Sequence, residues 1–147
     1  MLAESARSSP AGAARAALVG ISAALRAPFW ISGARLRRAL DATVDVRTGA
    51  RETDPALEAA LRVANGSIRQ LSRTRVVWRN TCLYRSAAQY LVLREFGRHA
   101  AIRIGVKNAG HQDDGDVAAH SWVVHDGPET VQDADTGYEE LAFTKRD

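Results

Sequence analysis

Residues 80–97 read NTCLYRSAAQYLVLREFG, a pattern that predicts one long helix near the middle of the chain. Asn80 or Thr81 is suited to cap the start of that helix, and Gly97 is suited to end it. The apolar residues recur at helical spacing and form one face: Leu83, Ala87, Tyr90 and Leu91. The stretch therefore predicts a helix over residues 81–96 that buries one side.

Strand patterns follow this helix directly. Residues 101–106 alternate isoleucine and valine with polar or small residues, and residues 118–125 read AAHSWVVH, which also fits a strand. A polar loop over residues 107–116 separates the two strands. Asp126-Gly127 is a turn signal, after which residues 129–133 are predicted to form a return strand. Helices followed by an antiparallel sheet indicate the α+β class.

The first half of the chain is predicted to be helical. Residues 1–12 are rich in Ser, Ala, Gly and Pro and are expected to be disordered. Apolar periodicity predicts three helices, over residues 13–27, 30–43 and 55–73. Pro28 ends or kinks the first of these, and Asp54 with Pro55 forms a typical start for the third.

Charge is distributed unevenly between the two halves. Residues 1–75 hold 12 Arg and 6 Asp or Glu, a net charge of +6, whereas residues 76–147 hold 8 Lys or Arg and 11 Asp or Glu, a net charge of −3. We interpret the first part as an N-terminal helical region and the second as the α+β core of a single compact unit. The basic helices either present a solvated face or contact an acidic peptide or a membrane surface.

The cysteine content and the N-terminal pattern bear on the compartment. Cys82 is the only cysteine, which excludes an intramolecular disulfide and a Cys-rich metal site and fits a reducing cytoplasm. Arg15 and Arg26 interrupt the apolar N-terminal run before it reaches the roughly 20 residues of a membrane span. Glu4 precedes Arg7, so the cationic start of a signal peptide is missing. We therefore expect a cytoplasmic protein with no transmembrane segment and no nucleic-acid partner.

Cys82 falls in the first turn of the predicted helix, beside Thr81. The N–H groups and the positive dipole end of a helix favour an anion there, and a cysteine thiolate is an anion. This position favours a nucleophile. It does not establish one, because most free cysteines are small buried core residues.

His120 is the strongest candidate for a base that serves this thiol. It lies in the second predicted strand on the face of Trp122 and Val124, because side chains along a strand alternate. A polar ring on an apolar face is either a hydrogen-bonded core residue or a catalytic one. The other three histidines lie at a helix end, in the polar loop and beside the turn: His99, His111 and His125.

A metal site is a weaker interpretation of the same region. The potential ligands are His111, Asp113, Asp114, Asp116 and His120. Their spacing lacks the regular oxygen ligands and the terminal glutamate of a Ca²⁺ loop. We therefore expect no metal and no cofactor.

An aspartate behind His120 follows from counting across the predicted hairpin. With a two-residue turn at Asp126-Gly127, His120 pairs with Asp133. A four-residue loop over residues 126–129 pairs it with Asp135 instead. Either carboxylate can hold one imidazole nitrogen and leave the other for a thiol, so both aspartates stay open on these grounds.

Four segments of the second half form a set with a fixed order. They are NTCLYRSAAQYLVLREFG at residues 80–97, IRIGV at 102–106, AHSWVV at 119–124 and VQD at 131–133. The set resembles the transglutaminase-like peptidases that mature lasso peptides, and the resemblance covers about residues 76–136. It implies a transglutaminase-like or papain-like core with Cys82, His120 and Asp133 as a catalytic triad. Gln132 and one extra hairpin residue depart from the family pattern, so Asp135 remains an alternative acid.

The resemblance also implies a substrate and partners. Members of that family cut the leader from a ribosomally made precursor peptide, and an ATP-dependent cyclase then closes a macrolactam ring in the core peptide. In split systems a small winged-helix protein recognises the leader. Residues 1–75 lack the strand alternation of such a module, so the resemblance implies the split form. The expected partners are the precursor peptide, a separate recognition protein and, as a further possibility, the cyclase.

Four more residues are candidates for a substrate or oxyanion region because they flank the expected triad: Thr81, Arg85, Ser86 and Trp122. Trp122 fits a core anchor beside the triad better than a substrate contact. Two other functions fit the same residues. One is acyl transfer to an amine by the same triad, and the other is a non-catalytic scaffold in a peptide-modifying complex.

Overall fold

A computed structural model describes residues 9–44, 53–79, 81–108, 117–128 and 139–140. Its helices are α1 (Pro10–Ile31), α2 (Ala34–Asp41), α3 (Pro55–Leu71) and α4 (Cys82–Glu95), and its strands are β1 (Ala100–Asn108), β2 (Val117–His125) and β3 (Glu139–Glu140). A short 3₁₀ turn, Ser72–Thr74, follows α3. Helices that precede a small antiparallel sheet confirm the predicted α+β class.

The described sheet has the strand order β2-β1-β3. β1 pairs antiparallel with β2, so that Ala100 lies opposite His125 and Gly105 opposite His120. β3 pairs antiparallel with the other side of β1, where Glu140 lies opposite Gly105. β2 is therefore an outer strand among the three strands that the structure describes. The predicted return strand over residues 129–133 lies outside the described residues.

The hydrophobic core centres on α4, which contacts α1, α3, β1 and β2. Ile102 and Val123 are opposed residues of β1 and β2, and both belong to this core. α2 contacts β1 from the other face, the one that carries Arg103. The Arg103 guanidinium donates to the backbone oxygens of Leu40 (3.2 Å) and Ala42 (2.9 Å), which tie the end of α2 to the sheet. Carbonyls at a helix end lack intrahelical donors, so an arginine satisfies them well.

α1 is longer than the sequence pattern predicts at both ends. It begins at Pro10 because Ser9 caps it, with the Ser9 hydroxyl accepting from Gly12 N at 3.1 Å; residues 9–12 are thus ordered, contrary to expectation. It also continues through Pro28 to Ile31. Proline has no N–H, so Pro28 cannot donate to the Ala24 oxygen four residues earlier. The indole N–H of Trp78 donates to that oxygen instead, at 3.1 Å.

Small residues allow α1 to pack closely on its neighbours. Its buried residues are Ala16, Gly20, Ala23, Ala24, Ala27, Pro28 and Trp30. The ring of Trp30 packs against Tyr90 of α4, with centroids 5.0 Å apart. Length and hydropathy alone would allow α1 to cross a membrane, a test that core helices of soluble proteins also pass. It contacts α3 and α4, and 39% of its most apolar window is buried in the protein.

The other helices agree with the sequence pattern to different degrees. α3 begins as predicted: the Asp54 carboxylate accepts from the backbone N–H groups of Ala56 and Leu57. α4 ends as predicted, because Gly97 takes a left-handed φ of 71°. α2 is shorter than the helix predicted over residues 30–43. Trp30 remains in the last turn of α1, and Ser32 and Gly33 separate the two helices.

Gly20 marks the closest approach of α1 to α3 and gives a stability prediction. A Cβ atom at Gly20 would lie 2.7 Å from the Ala60 oxygen and 2.8 Å from Val63 Cβ. We expect Gly20→Ala to lower the free energy of unfolding by about 1–3 kcal/mol, because the two helices must move apart. Gly66→Ala is the matched control on α3, because a Cβ atom added there would meet nothing within 4 Å. This variant should raise the free energy of unfolding by about 0.5–1 kcal/mol. Urea unfolding that shows equal changes for both variants would contradict this packing.

Candidate active site

Cys82 is the first residue of α4, as the sequence predicts. Thr81 precedes it in an extended conformation (φ −102°, ψ 160°), and its hydroxyl oxygen accepts from Tyr84 N at 3.4 Å. The Thr81 carbonyl accepts from Arg85 N at 3.1 Å, which closes the first turn. Cys82 is a free cysteine and is half-buried at this helix start.

The start of α4 also presents backbone donors. The first N–H groups of a helix have no acceptor within that helix. Thr81 takes up the N–H of Tyr84, which leaves the N–H groups of Cys82 and Leu83 directed away from the helical ladder. Two adjacent donors beside a thiol are the arrangement that an oxyanion requires.

His120 lies in β2, opposite Gly105 of β1. It is half-buried, and its ring stacks on Trp122 with centroids 6.2 Å apart and planes 17° apart. Trp122 is buried on this same face, which confirms the predicted alternation.

A buried pair of serines joins the cysteine helix to the histidine strand. Ser86 lies one helical turn after Cys82, and Ser121 directly follows His120. The Ser86 hydroxyl donates to the Ser121 backbone oxygen at 3.0 Å, and the two hydroxyl oxygens are 3.1 Å apart. Both serines are almost fully buried. A buried polar pair of this kind fixes the position of one element against the other, because each hydroxyl would be costly to leave unpaired.

The same bonds define the orientation of the strand. The Ser121 side chain points toward α4, so alternation places the His120 ring on the other face of β2. Carbonyl groups of a strand lie near the plane of the sheet, and one of them accepts from Ser86. The second turn of α4 therefore packs on β2 at Ser121, on the face opposite to that of the His120 ring.

The remaining predicted residues have varied positions. Arg85 is half-buried in the second turn of α4. The two other described histidines point elsewhere: His99 is exposed, and His125 is buried and accepts from Gly127 N at 3.1 Å through Nδ1. Asp133, Asp135 and the residues from His111 to Asp116 lie outside the described residues. Within the described part of the chain, no three His, Cys, Asp or Glu residues are grouped as metal ligands require.

Ser121 is the residue that sequence analysis missed. It appeared only as a small residue between His120 and Trp122. The alternation of side chains along the strand could have found Ser121, because it places the Ser121 hydroxyl on the core-facing side of β2. The Ser86 hydroxyl likewise lies on the core-facing side of its helix. Buried hydroxyls need partners, and two of them close in sequence to the expected nucleophile and base form a natural pair.

Ser86→Ala tests this link. The variant should lose about 1–2 kcal/mol in the free energy of unfolding, because it leaves the Ser121 groups buried without their partner. The double variant Ser86→Ala with Ser121→Ala should lose less than the sum of the two single variants, because neither hydroxyl is then left unpaired. Urea unfolding of the four proteins gives the coupling energy. Strictly additive losses would show that the two hydroxyls do not support each other.

Comparison with known proteins gives one match. The family model described as the transglutaminase-like superfamily matches residues 23–145, which is most of the chain and includes α3, α4 and the described sheet. The matched range contains both Cys82 and His120. No curated protein and no solved structure gives a significant match.

Proposed function

The chain belongs to the transglutaminase-like superfamily, and on that premise we propose that it is a cysteine peptidase with Cys82 as nucleophile and His120 as base. The superfamily is commonly built around cysteine-based enzymes and includes both peptidases and acyltransferases. The observation that carries the proposal is the position of the single cysteine at the capped start of α4, where two backbone N–H groups are available. The Ser86–Ser121 pair supports it by joining that helix to the strand of His120.

The proposed reaction has two steps. His120 takes the thiol proton, and the Cys82 sulfur adds to the scissile carbonyl, whose oxygen receives hydrogen bonds from the N–H groups of Cys82 and Leu83. The imidazolium returns the proton to the departing amine, which leaves a thioester on Cys82. Water, deprotonated by His120, then attacks the thioester, and the new carboxylate and the free thiol are released.

His120 must reach the thiol from the far face of β2. An aspartate then orients the imidazole from its other nitrogen, and Asp133 is the first candidate, with Asp135 as the alternative. Thr81 and Arg85 flank the nucleophile and are proposed to contact substrate. Trp122 is proposed to hold the His120 ring by stacking.

The substrate proposed from the motif resemblance is the precursor of a lasso peptide, from which the enzyme removes the leader. In this scheme a small winged-helix protein supplies leader recognition, and an ATP-dependent cyclase receives the released core peptide. The protein is proposed to act in the cytoplasm without a cofactor. An acyltransferase is the second candidate function, because the superfamily includes such enzymes and a thioester can react with an amine as well as with water.

The test combines the protein with a candidate lasso-peptide precursor, with and without a winged-helix recognition protein, and weighs the products. Two fragments that sum to the precursor plus one water indicate hydrolysis at a single bond. A second reaction contains a primary amine in excess. A product carrying the amine in place of water would favour acyl transfer, and an unchanged precursor in all reactions would leave only a scaffold role.

A further inference from the structure

A cavity opens in the segment that joins α3 to α4. It has a volume of about 390 Å³ and is lined by Ser72, Arg75, Val76, Val77, Trp78 and Arg79. We call it the α3–α4 pocket. Pockets that hold small ligands have volumes of about 300–1,000 Å³, so this one has room for side chains of a bound peptide.

The pocket is fixed next to the start of the cysteine helix. The Tyr84 hydroxyl, in the first turn of α4, donates to the Val77 oxygen at 3.1 Å. Trp78 is held on the other side by its bond to the Ala24 oxygen of α1. Arg79 precedes Cys82 by three residues, so their Cα atoms are at most about 11 Å apart. An extended peptide covers that distance with about three residues.

The chain segment that contains the pocket carries charge of one sign. Residues 59–94 contain seven arginines and no Asp, Glu or Lys. Arg75 and Arg79 are exposed at the pocket, and among the described residues neither forms an ion pair. Cations without local counter-charges attract anionic groups and increase their rate of encounter. The pocket is therefore suited to a carboxylate.

Apolar side chains lie beside these cations. Val76 is 76% exposed and Val77 is 40% exposed, which makes them two of the most exposed large apolar residues described outside α1. Arg75 takes a left-handed φ of 55°, a region in which residues other than glycine are uncommon. This turn brings a guanidinium and a valine side chain to the same pocket. The pair can contact a charged and an apolar side chain of one peptide.

We propose that the α3–α4 pocket is a substrate subsite that takes an acidic side chain next to an apolar one, within a few residues of the scissile bond. The inference rests on the proposed peptidase function only in treating the bound peptide as a substrate. The binding of an acidic and apolar peptide to the pocket does not depend on that function. Arg75 and Arg79 would contact the carboxylate, and Val76 would contact the apolar neighbour. The subsite would set which peptides are cut and would take no part in the chemical step.

Binding is tested with the full-length Cys82→Ala protein, so that the outcome does not depend on catalysis. The probes are two rhodamine-labelled peptides with the same leucine and valine residues, one carrying glutamates and the other glutamines in their place. We expect the glutamate peptide to bind about twofold to twentyfold more tightly by fluorescence anisotropy, as two exposed charge pairs allow. Raising the salt concentration should reduce that preference.

The decisive variant is Arg75→Asn with Arg79→Gln, in which asparagine suits the left-handed conformation of residue 75. This double variant should remove the preference for the glutamate peptide. Val76→Ser should weaken the binding of both peptides equally. The control Arg62→Gln with Arg94→Gln removes the same charge from exposed sites on α3 and α4 and should keep the preference. Equal binding of the two peptides, or a preference that survives the Arg75 and Arg79 changes, would overturn the subsite. Binding to phosphatidylglycerol vesicles through these arginines, with neither peptide bound, would also overturn it.

Discussion

Cys82→Ala is expected to abolish cleavage of the precursor peptide, with a loss of rate on the order of 10⁴-fold or more. The sulfur atom is both the proposed nucleophile and the carrier of the thioester, so no other group in the chain can replace it. The loss is measured by mass spectrometry of the two fragments over time. The fold should persist, because Cys82 is a half-buried residue in the first helical turn, and alanine is well tolerated in a helix.

Cys82→Ser is the matched control for this variant. It keeps a side chain of similar size that can donate a hydrogen bond, but its hydroxyl is a far poorer nucleophile than a thiol. It should therefore be as inactive as Cys82→Ala, with a similar thermal midpoint. If either variant still cleaved the precursor at the wild-type rate, Cys82 would not be the nucleophile.

His120→Gln is expected to lower the cleavage rate on the order of 10²- to 10⁴-fold, the range for removal of a general acid–base group. Glutamine keeps a polar side chain beside Trp122 but cannot exchange protons near neutral pH. The measurement separates kcat from KM, and we expect the loss to fall on kcat. A loss confined to KM would instead indicate that His120 contacts substrate.

His99→Gln provides the comparison for the histidine prediction, since His99 is exposed beyond the end of α4. It should cleave the precursor at the wild-type rate. His120→Gln should also remain folded, with its circular dichroism spectrum unchanged. An active His120→Gln protein would remove the base from the proposed mechanism, even if Cys82 proved essential.

Local sequence signals were sufficient for the elements that carry the site. The cap at Thr81, the glycine at residue 97 and the alternation around His120 each act within a few residues, so the start of α4, its end and the faces of β2 could be predicted. The same holds for α3, whose start is determined by Asp54 and Pro55. Signals of this kind depend on backbone geometry rather than on the rest of the fold.

Contacts between residues distant in sequence explain where the structure differs from the sequence predictions. α1 passes through Pro28 because the Trp78 indole, 54 residues after Ala24, replaces the missing donor. No sequence pattern near Pro28 predicts that hydrogen bond. Arg103 holds the end of α2 from 61 residues beyond Ala42 in the same way. The choice between Asp133 and Asp135 depends on the register of a hairpin and stays open, because both residues lie outside the described residues.

Cys82 is proposed to be an activated nucleophile served by His120, and the alkylation rate of its thiol distinguishes this role from that of an inert cysteine. The chain has one cysteine, so the mass of the intact protein after iodoacetamide treatment reports on that residue alone. At slightly acidic pH the folded wild-type protein should be labelled faster than a urea-denatured control, and His120→Gln should remove the difference. Labelling of the folded protein no faster than that of the denatured chain would contradict the claim and favour a non-catalytic scaffold.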